Sequence, residues 1–165
     1  HFQQYGSRCR MWVPPENRDP VLLHHPTRRS VGYFGAVRLR DGRFLYRRET
    51  ERFGAETFFD FLRQFHRANR ATRRRMVLIL DNASYHHARL HKLWREAHAE
   101  RIALEFLPPY SPELNPIERV WKFTRRRCLH NRYFPQLERV MEKVEWEFAA
   151  WAHHSDNLRR LCAII

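Results

Sequence analysis

The chain has 165 residues, 43% of them hydrophobic and 14% aromatic, with only five glycines. A single domain of this length buries roughly 70% of the surface its unfolded chain exposes, which excludes a disordered tail or a collagen-like repeat. Thirty-one Lys and Arg against 18 Asp and Glu give a net charge of +13, so a polyanion is the expected large partner, drawn in by release of counterions from a phosphate backbone.

Arg10 to Val13 reads as a short strand ended by Pro14-Pro15, which cannot continue a ladder. Ser30 to Arg40 and Arg43 to Arg48 are strand-like runs on either side of Asp41-Gly42, a strong hairpin signal. From Glu56 the period becomes helical, with Phe58, Leu62 and Phe65 on one stripe and Arg63, Gln64 and Arg67 opposite. Met76 to Leu80 is continuously apolar, the pattern of a strand covered on both faces, and it ends directly in Asp81. Ser84 to Glu100 follows as a helix with Leu90, Trp94 and Ala97 on one stripe, and Ile102 to Leu107 as a second strand, completing a βαβ unit.

Four prolines, at 108, 109, 112 and 116, stiffen the next loop before a helix from about Pro116 towards Leu129. A last helix, from about Pro135 to Trp151, buries Leu137, Val140 or Met141, Val144, Phe148 and Trp151. The expected fold is therefore α/β, in one domain over 1–165: antiparallel hairpins, then a parallel βαβ unit, flanked by helices. The run Met76 to Leu80 is far short of the ~20 residues that cross a bilayer, and the polar N-terminus has no signal core. A soluble, cytoplasmic protein without a membrane partner is expected. Cys9, Cys128 and Cys162 are too far apart for a disulfide framework or a short zinc motif.

In open α/β sheets functional groups gather outside the carboxyl ends of strands, where Asp81 stands. Its bland reading is an aspartate that starts the Asn82-Ala83-Ser84 turn. Asn115-Pro116-Ile117-Glu118 has the form of an N-cap, a proline in the first helical position and a glutamate in the third, so Glu118 is either a capping residue or a ligand. Taken together, the two carboxylates on one sheet edge can hold a hard divalent cation, and in a basic protein the matching substrate is a phosphodiester. His87 and His91, at i and i+4, have no third ligand at a convincing spacing and read as polar surface histidines.

Asp-Asn-Ala-Ser-Tyr-His (81 to 86) followed by Leu-Pro-Pro-Tyr-Ser-Pro-Glu-Leu-Asn-Pro-Ile-Glu-Arg-Val-Trp-Lys (107 to 122) resembles the DDE transposases of bacterial insertion sequences related to the mariner superfamily. The resemblance covers essentially the whole chain, with 36 residues between Asp81 and Glu118. It implies a ribonuclease-H-like catalytic domain that cleaves DNA strands and transfers 3′-hydroxyl ends with Mg²⁺ or Mn²⁺, acting on transposon ends and target DNA, commonly as a homodimer. By it, Asp81 and Glu118 are the second and third members of the metal-binding triad, and Asn82 and His86 line the site.

The family's first aspartate precedes a segment resembling His1-Phe2-Gln3-Gln4, so it falls ahead of this chain, as does the family's helix-turn-helix region. Asp19 in a loop, Asp41 in the hairpin turn, Asp60 in a helix and Asp156 near the C-terminus do not replace it. The chain is thus expected to be a catalytic-domain fragment, inactive alone; the competing readings are a non-catalytic DNA-binding remnant and another ribonuclease-H-like nuclease. Arg119, Lys122 and Arg126 share one face of the helix carrying Glu118, with Arg125 and Arg127 beside them, and are expected to track DNA phosphates.

Overall fold

The computed structural model describes residues 1–10, 12–14, 21, 23, 26–50 and 52–163. Strands β1 (Phe2–Gln3), β2 (Ser30–Val37) and β3 (Phe44–Glu49) form an antiparallel sheet in that order. β2 and β3 pair from Gly32 opposite Glu49 to Val37 opposite Phe44. The connection is wider than a two-residue Asp-Gly turn, because the Arg38 guanidinium clamps both carboxylate oxygens of Asp41, at 2.8 and 2.5 Å, and closes a loop over residues 38–43. Gly42 has φ +68°, and a Cβ there would lie 2.0 Å from the Ser155 carbonyl oxygen, so only glycine fits.

The strand expected at Arg10 to Val13 is not formed: Arg10, Trp12 and Val13 lie outside any strand, and Met11 and Pro15 fall outside the described residues, as does the Asp19 loop. The chain just before it is tied to a side chain instead. The Cys9 backbone N–H donates to Asn131 Oδ1 and its carbonyl accepts from Asn131 Nδ2, both at 2.9 Å.

Helix α1 (Ala55–Ala68) buries Phe58, Phe61 and Leu62 as its periodicity requires. β4 (Met76–Leu80) and β5 (Ile102–Phe106) pair in parallel, from Met76 opposite Ile102 to Leu80 opposite Phe106. Only Leu78 of β4 is buried, while Val77 and Ile79 are 58% and 41% exposed. The expectation of a strand covered on both faces is therefore corrected: β4 alternates, with one face on α1 and the other open.

The long helix expected after β4 is also broken. Ala88, with ψ of 142°, interrupts it, leaving 3-10 turns at Ser84–His87 and Arg89–His91 before a short α2 (Lys92–Ala97). Leu90 consequently points out, 53% exposed, and His91, expected on the surface, is fully buried beside the Phe58 ring. Its Nε2 bonds the Tyr85 carbonyl at 3.0 Å, which replaces the water the ring gave up.

α3 (Pro116–Cys128) and α4 (Leu137–Ala150) lie where expected, and α5 (Asp156–Leu161), which the hydropathy pattern did not single out, is capped by Ser155, whose Oγ accepts from the Leu158 N–H. Two cores result, on opposite faces of the antiparallel sheet. Val31, Tyr33, Phe44, Val120, Val140, Val144, Phe148, Trp151 and Leu158 pack between the sheet and α3, α4 and α5. Phe34 turns the other way, onto Phe58, Phe61, Leu62 and Leu78.

The strands thus form two separate sheets, β1-β2-β3 and β4-β5. β1 pairs with β2 only at Ser30 and Val31, so β2 beyond that point has no strand on its outer edge among the described residues, and neither does β4 on the edge away from β5. A cavity of about 600 Å³ lies between these two edges. Its lining comprises residues 33–40, 76–81, Phe58, Phe61 and Phe65 of α1, and Ile117, Glu118 and Trp121 of α3.

Two predictions follow from this packing. Trp121 lies across Gly35, where an added Cβ would meet its ring at 2.5 Å and the Phe44 ring at 2.9 Å. Gly35→Ala should therefore lower unfolding free energy by about 1–3 kcal/mol through overpacking, measured by urea titration; an unchanged midpoint would mean that the ring shifts freely.

Burial lowers the pKa of His91 from its ordinary 6.5, the Tyr85 carbonyl opposing and Arg95 adding to the effect. Below 6.5 the unfolded chain takes up a proton that folded His91 refuses, so stability falls as pH drops through that value and recovers above it. His91→Gln should make the fall between about pH 7.5 and pH 5.5 shallower, by at most about 1.4 kcal/mol per pH unit. Equal slopes in denaturation series of the two proteins would contradict this.

Candidate active site

Asp81 is the first residue past β4, level with Leu107 at the end of β5, whose N–H donates to the Leu80 carbonyl at 2.9 Å. The parallel pairing therefore delivers its carboxylate at the open end of the small sheet. Three local bonds hold it there. The Ala83 N–H donates to Asp81 Oδ1 at 3.1 Å, and His86 Nδ1 lies 3.0 Å from both that oxygen and the Asp81 carbonyl oxygen. Both are acceptors, so the Nδ1 carries the proton. His86 is buried against the Phe58 ring, 4.4 Å between centroids, and burial lowers its pKa while its bonds to Asp81 oppose that shift. A neutral imidazole thus braces Asp81 without cancelling its charge.

Asn82 is exposed, and its Nδ2 donates to the Leu107 carbonyl, which fastens the turn after β4 to the loop after β5. That loop runs through Pro108, Pro109 and a 3-10 turn at Pro112–Leu114 to Asn115. Asn115 caps α3, its side-chain oxygen accepting from the Ile117 N–H at 3.4 Å, with Pro116 in the first turn. Glu118 is exposed and lines the same cavity as Asp81, His86 and Asn115. Of the four residues expected at the site, Asp81, His86 and Glu118 line this cavity, and Asn82 stands in the turn beside Asp81.

The cavity between the sheets reaches this site, and the α-amino group of His1 lies close by. Burial lowers its pKa, Arg125 lowers it further and Glu118 raises it, which places that terminus within the field of both side chains. No group of three or more His, Cys, Asp or Glu that could hold a metal ion is present among the described residues. In ligand type Asp81 and Glu118 suit a hard cation such as Mg²⁺ or Mn²⁺, but they are two ligands and not three. His87 and His91 do not converge: His87 stacks on Phe106 at 4.1 Å, and His91 is buried.

The basic residues of α3 separate into different tasks. Lys122 and Arg126 are exposed. Arg119, also exposed, donates from Nη1 to the carbonyls of Leu161 (3.3 Å) and Ala163 (3.0 Å) and so ties down the end of α5. Arg127 pairs with the buried Glu147 of α4 at 2.6 Å and lies over the Phe123 ring. Sequence reasoning missed this pair, since Glu147 falls one position from Phe148 on the buried side of α4; the signal was a glutamate on the apolar stripe of α4 with arginines within reach on α3. The Cys162 thiol also donates to the Pro116 carbonyl, at 3.7 Å, so α5 braces the very start of the Glu118 helix.

Asp81 and Glu118 line one cavity of an α/β core in a strongly basic chain. Residues 1–141 match the family described as DDE superfamily endonuclease, and the chain belongs to that family. It is 45% identical over 88 residues to the uncharacterized protein y4pE/y4sA of Sinorhizobium fredii (strain NBRC 101917 / NGR234), an alignment covering 53% of this chain and 59% of that protein. Among solved structures, the Mos1 strand transfer complex superposes with a TM-score of 0.64 at 22% identity, over 98% of this chain and 48% of the Mos1 chain. The Mos1 transposase paired-end complex with left transposon end gives 0.65 at 19%, and the Mos1 mariner paired-end complex with Mn gives 0.59 at 20%. This likeness establishes the ribonuclease-H-like fold, and the chain spans about half the length of those transposases. Among the described residues no helix is long and apolar enough to cross a membrane.

Proposed function

We propose that this chain is the catalytic core of a transposase that cuts DNA strands in a metal-dependent reaction and joins the freed 3′-hydroxyl to a target. The observation that supports this reading is that Asp81 and Glu118, from two separate elements, line one cavity in a protein of net charge +13 that belongs to the DDE superfamily endonuclease family. Asp81 and Glu118 would hold Mg²⁺ or Mn²⁺, which supplies Lewis acidity at the attacking and leaving oxygens of a phosphodiester. His86 fixes the Asp81 carboxylate through its Nδ1 proton, and Asn82 fixes the turn beneath it. Lys122 and Arg126 would follow the DNA backbone, with Arg125 near the His1 amine and Arg119 shared with α5. A cytoplasmic protein that pairs transposon ends as a homodimer is the setting this reading implies.

Two-metal displacement needs ions about 3.5–4 Å apart with a carboxylate between them, and two ligands do not supply that arrangement. A further strand between β2 and β4, whose facing edges carry no strand among the described residues, would supply a third carboxylate. The 165-residue chain is accordingly expected to leave supercoiled plasmid intact in Mg²⁺ or Mn²⁺. A longer form that carries residues ahead of His1, including an aspartate, is expected to nick it, and Asp81→Ala or Glu118→Ala to abolish the nicking. Nicking by the 165-residue chain that Asp81→Ala removes would overturn the proposed role of the third ligand; a longer form that binds DNA and never nicks would favour a non-catalytic remnant.

A further inference from the structure

The turn that joins α1 to β4 reads Asn-Arg-Ala-Thr-Arg-Arg-Arg over residues 69–75, and Arg101 stands just before β5. Arg101 braces this turn. Its Nη2 donates to the Arg70 carbonyl at 3.2 Å and to the Thr72 carbonyl at 2.7 Å, and its own carbonyl accepts from the Met76 N–H at 2.8 Å. From the α1 side, the Thr72 N–H donates to the Asn69 carbonyl at 3.0 Å and Asn69 Nδ2 to the Phe65 carbonyl at 2.8 Å. Arg70, Arg73, Arg74 and Arg75 are exposed on this frame, with Arg101 against it.

The charge here is unbalanced. Arg38, Arg47 and Arg127 each meet a carboxylate, whereas none of these five arginines is ion-paired among the described residues, and the neighbouring Glu100 is exposed and unpaired as well. His66, in the last turn of α1, registers the same field. Its ring meets that of His98 at 4.7 Å between centroids and that of Trp94 at 5.7 Å; burial lowers its pKa, and His98, Arg101 and Arg70 each lower it further, with no carboxylate in opposition. Five guanidinium groups on one turn repel one another, and a dense anion removes that repulsion.

The turn precedes β4 and Asp81 follows it. The two ends of β4, Met76 and Leu80, stand roughly 13 Å apart at the strand rise of about 3.3 Å per residue, so these arginines are remote from the carboxylate. Residues 69–75 include no aromatic side chain on which a base could stack, and guanidinium groups without one suit phosphate oxygens.

We propose that the 70–75 turn, together with Arg101, is a second phosphate-backbone site that grips duplex DNA at least about four base pairs from the phosphodiester held at Asp81 and Glu118. This rests on the DNA-cutting reading above and adds where a further stretch of the duplex is held. The contact is indifferent to sequence, because it reads the backbone alone.

The test uses the full 165-residue chain without metal and a blunt duplex of about 20 base pairs, with affinity measured across a salt series. Replacing Arg70→Gln, Arg73→Gln and Arg74→Gln together should flatten the slope of log affinity against log salt by about two to three and weaken binding at least about tenfold near 0.1 M salt. The urea midpoint should not move, since these side chains make no hydrogen bond or ion pair among the described residues. In the wild-type chain, DNA should raise the titration midpoint of the His66 ring, followed by NMR and identified by its loss in His66→Gln, because phosphates then offset Arg70 and Arg101. This second readout decides the matter should the triple variant fold poorly. A wild-type chain that binds DNA with the His66 midpoint unmoved, or a folded triple variant with an unchanged slope, would overturn this site and leave the DNA-cutting reading standing. A wild-type chain that binds no DNA at all would overturn both.

Discussion

β2 is the wall that both cores share, and the site depends on it. Val31 and Tyr33 enter the core under α3, α4 and α5, Phe34 enters the core under α1, and Gly35 leaves room for the Trp121 ring. Because α3 is seated on one face of β2 through Trp121, and β4 is held on the other through Leu78 and Phe34, Glu118 and Asp81 line one cavity from opposite layers. Neither carboxylate is positioned by its own loop alone. The aromatic packing sets their approach, and the caps and clamps at Asn115, Asn82 and His86 set their orientation.

The charge of +13 is not a single DNA-facing surface. Arg38 holds the hairpin loop through Asp41, Arg47 reaches Asp60 of α1 at 3.2 Å, Arg127 neutralises Glu147 between α3 and α4, and Arg119 secures α5. Guanidinium groups serve as well for such internal bridging as for phosphate contact, because several donors in one plane can satisfy a carboxylate or several carbonyls at once. The basic residues that line the cavity are Arg38, Arg40, Arg43 and Arg74, while Lys122 and Arg126 stand exposed on α3.

The residues proposed for the site stand out in the sequence because they sit at element ends, where sequence marks them strongly. Asp81 ends an apolar run, and Asn115-Pro116 announces the helix that carries Glu118. Periodicity likewise located α1, α3 and α4, whose apolar stripes are long enough to define a face. It failed where the pattern was short or equivocal. Met76 to Leu80 read as doubly buried since every residue is apolar, yet among the described residues β4 has a strand on one side only, and its outer residues line a cavity. Leu90 looked like a core position and His91 like a surface one; the extended Ala88 shifts the register and reverses them, and no propensity of alanine foretells such a break. The bracing of α3 by α5 through Cys162 and Arg119 depends on backbone carbonyls, which sequence does not display.

The central claim is that Asp81 and Glu118 share one hard divalent cation. Crystals of the 165-residue chain soaked in millimolar Mn²⁺, with diffraction recorded for the anomalous signal of manganese, test it most directly. The account predicts a peak with an oxygen of Asp81 and an oxygen of Glu118 both at coordination distance, about 2.1 Å. A peak bound to one carboxylate and out of reach of the other, or no peak between them, would contradict it.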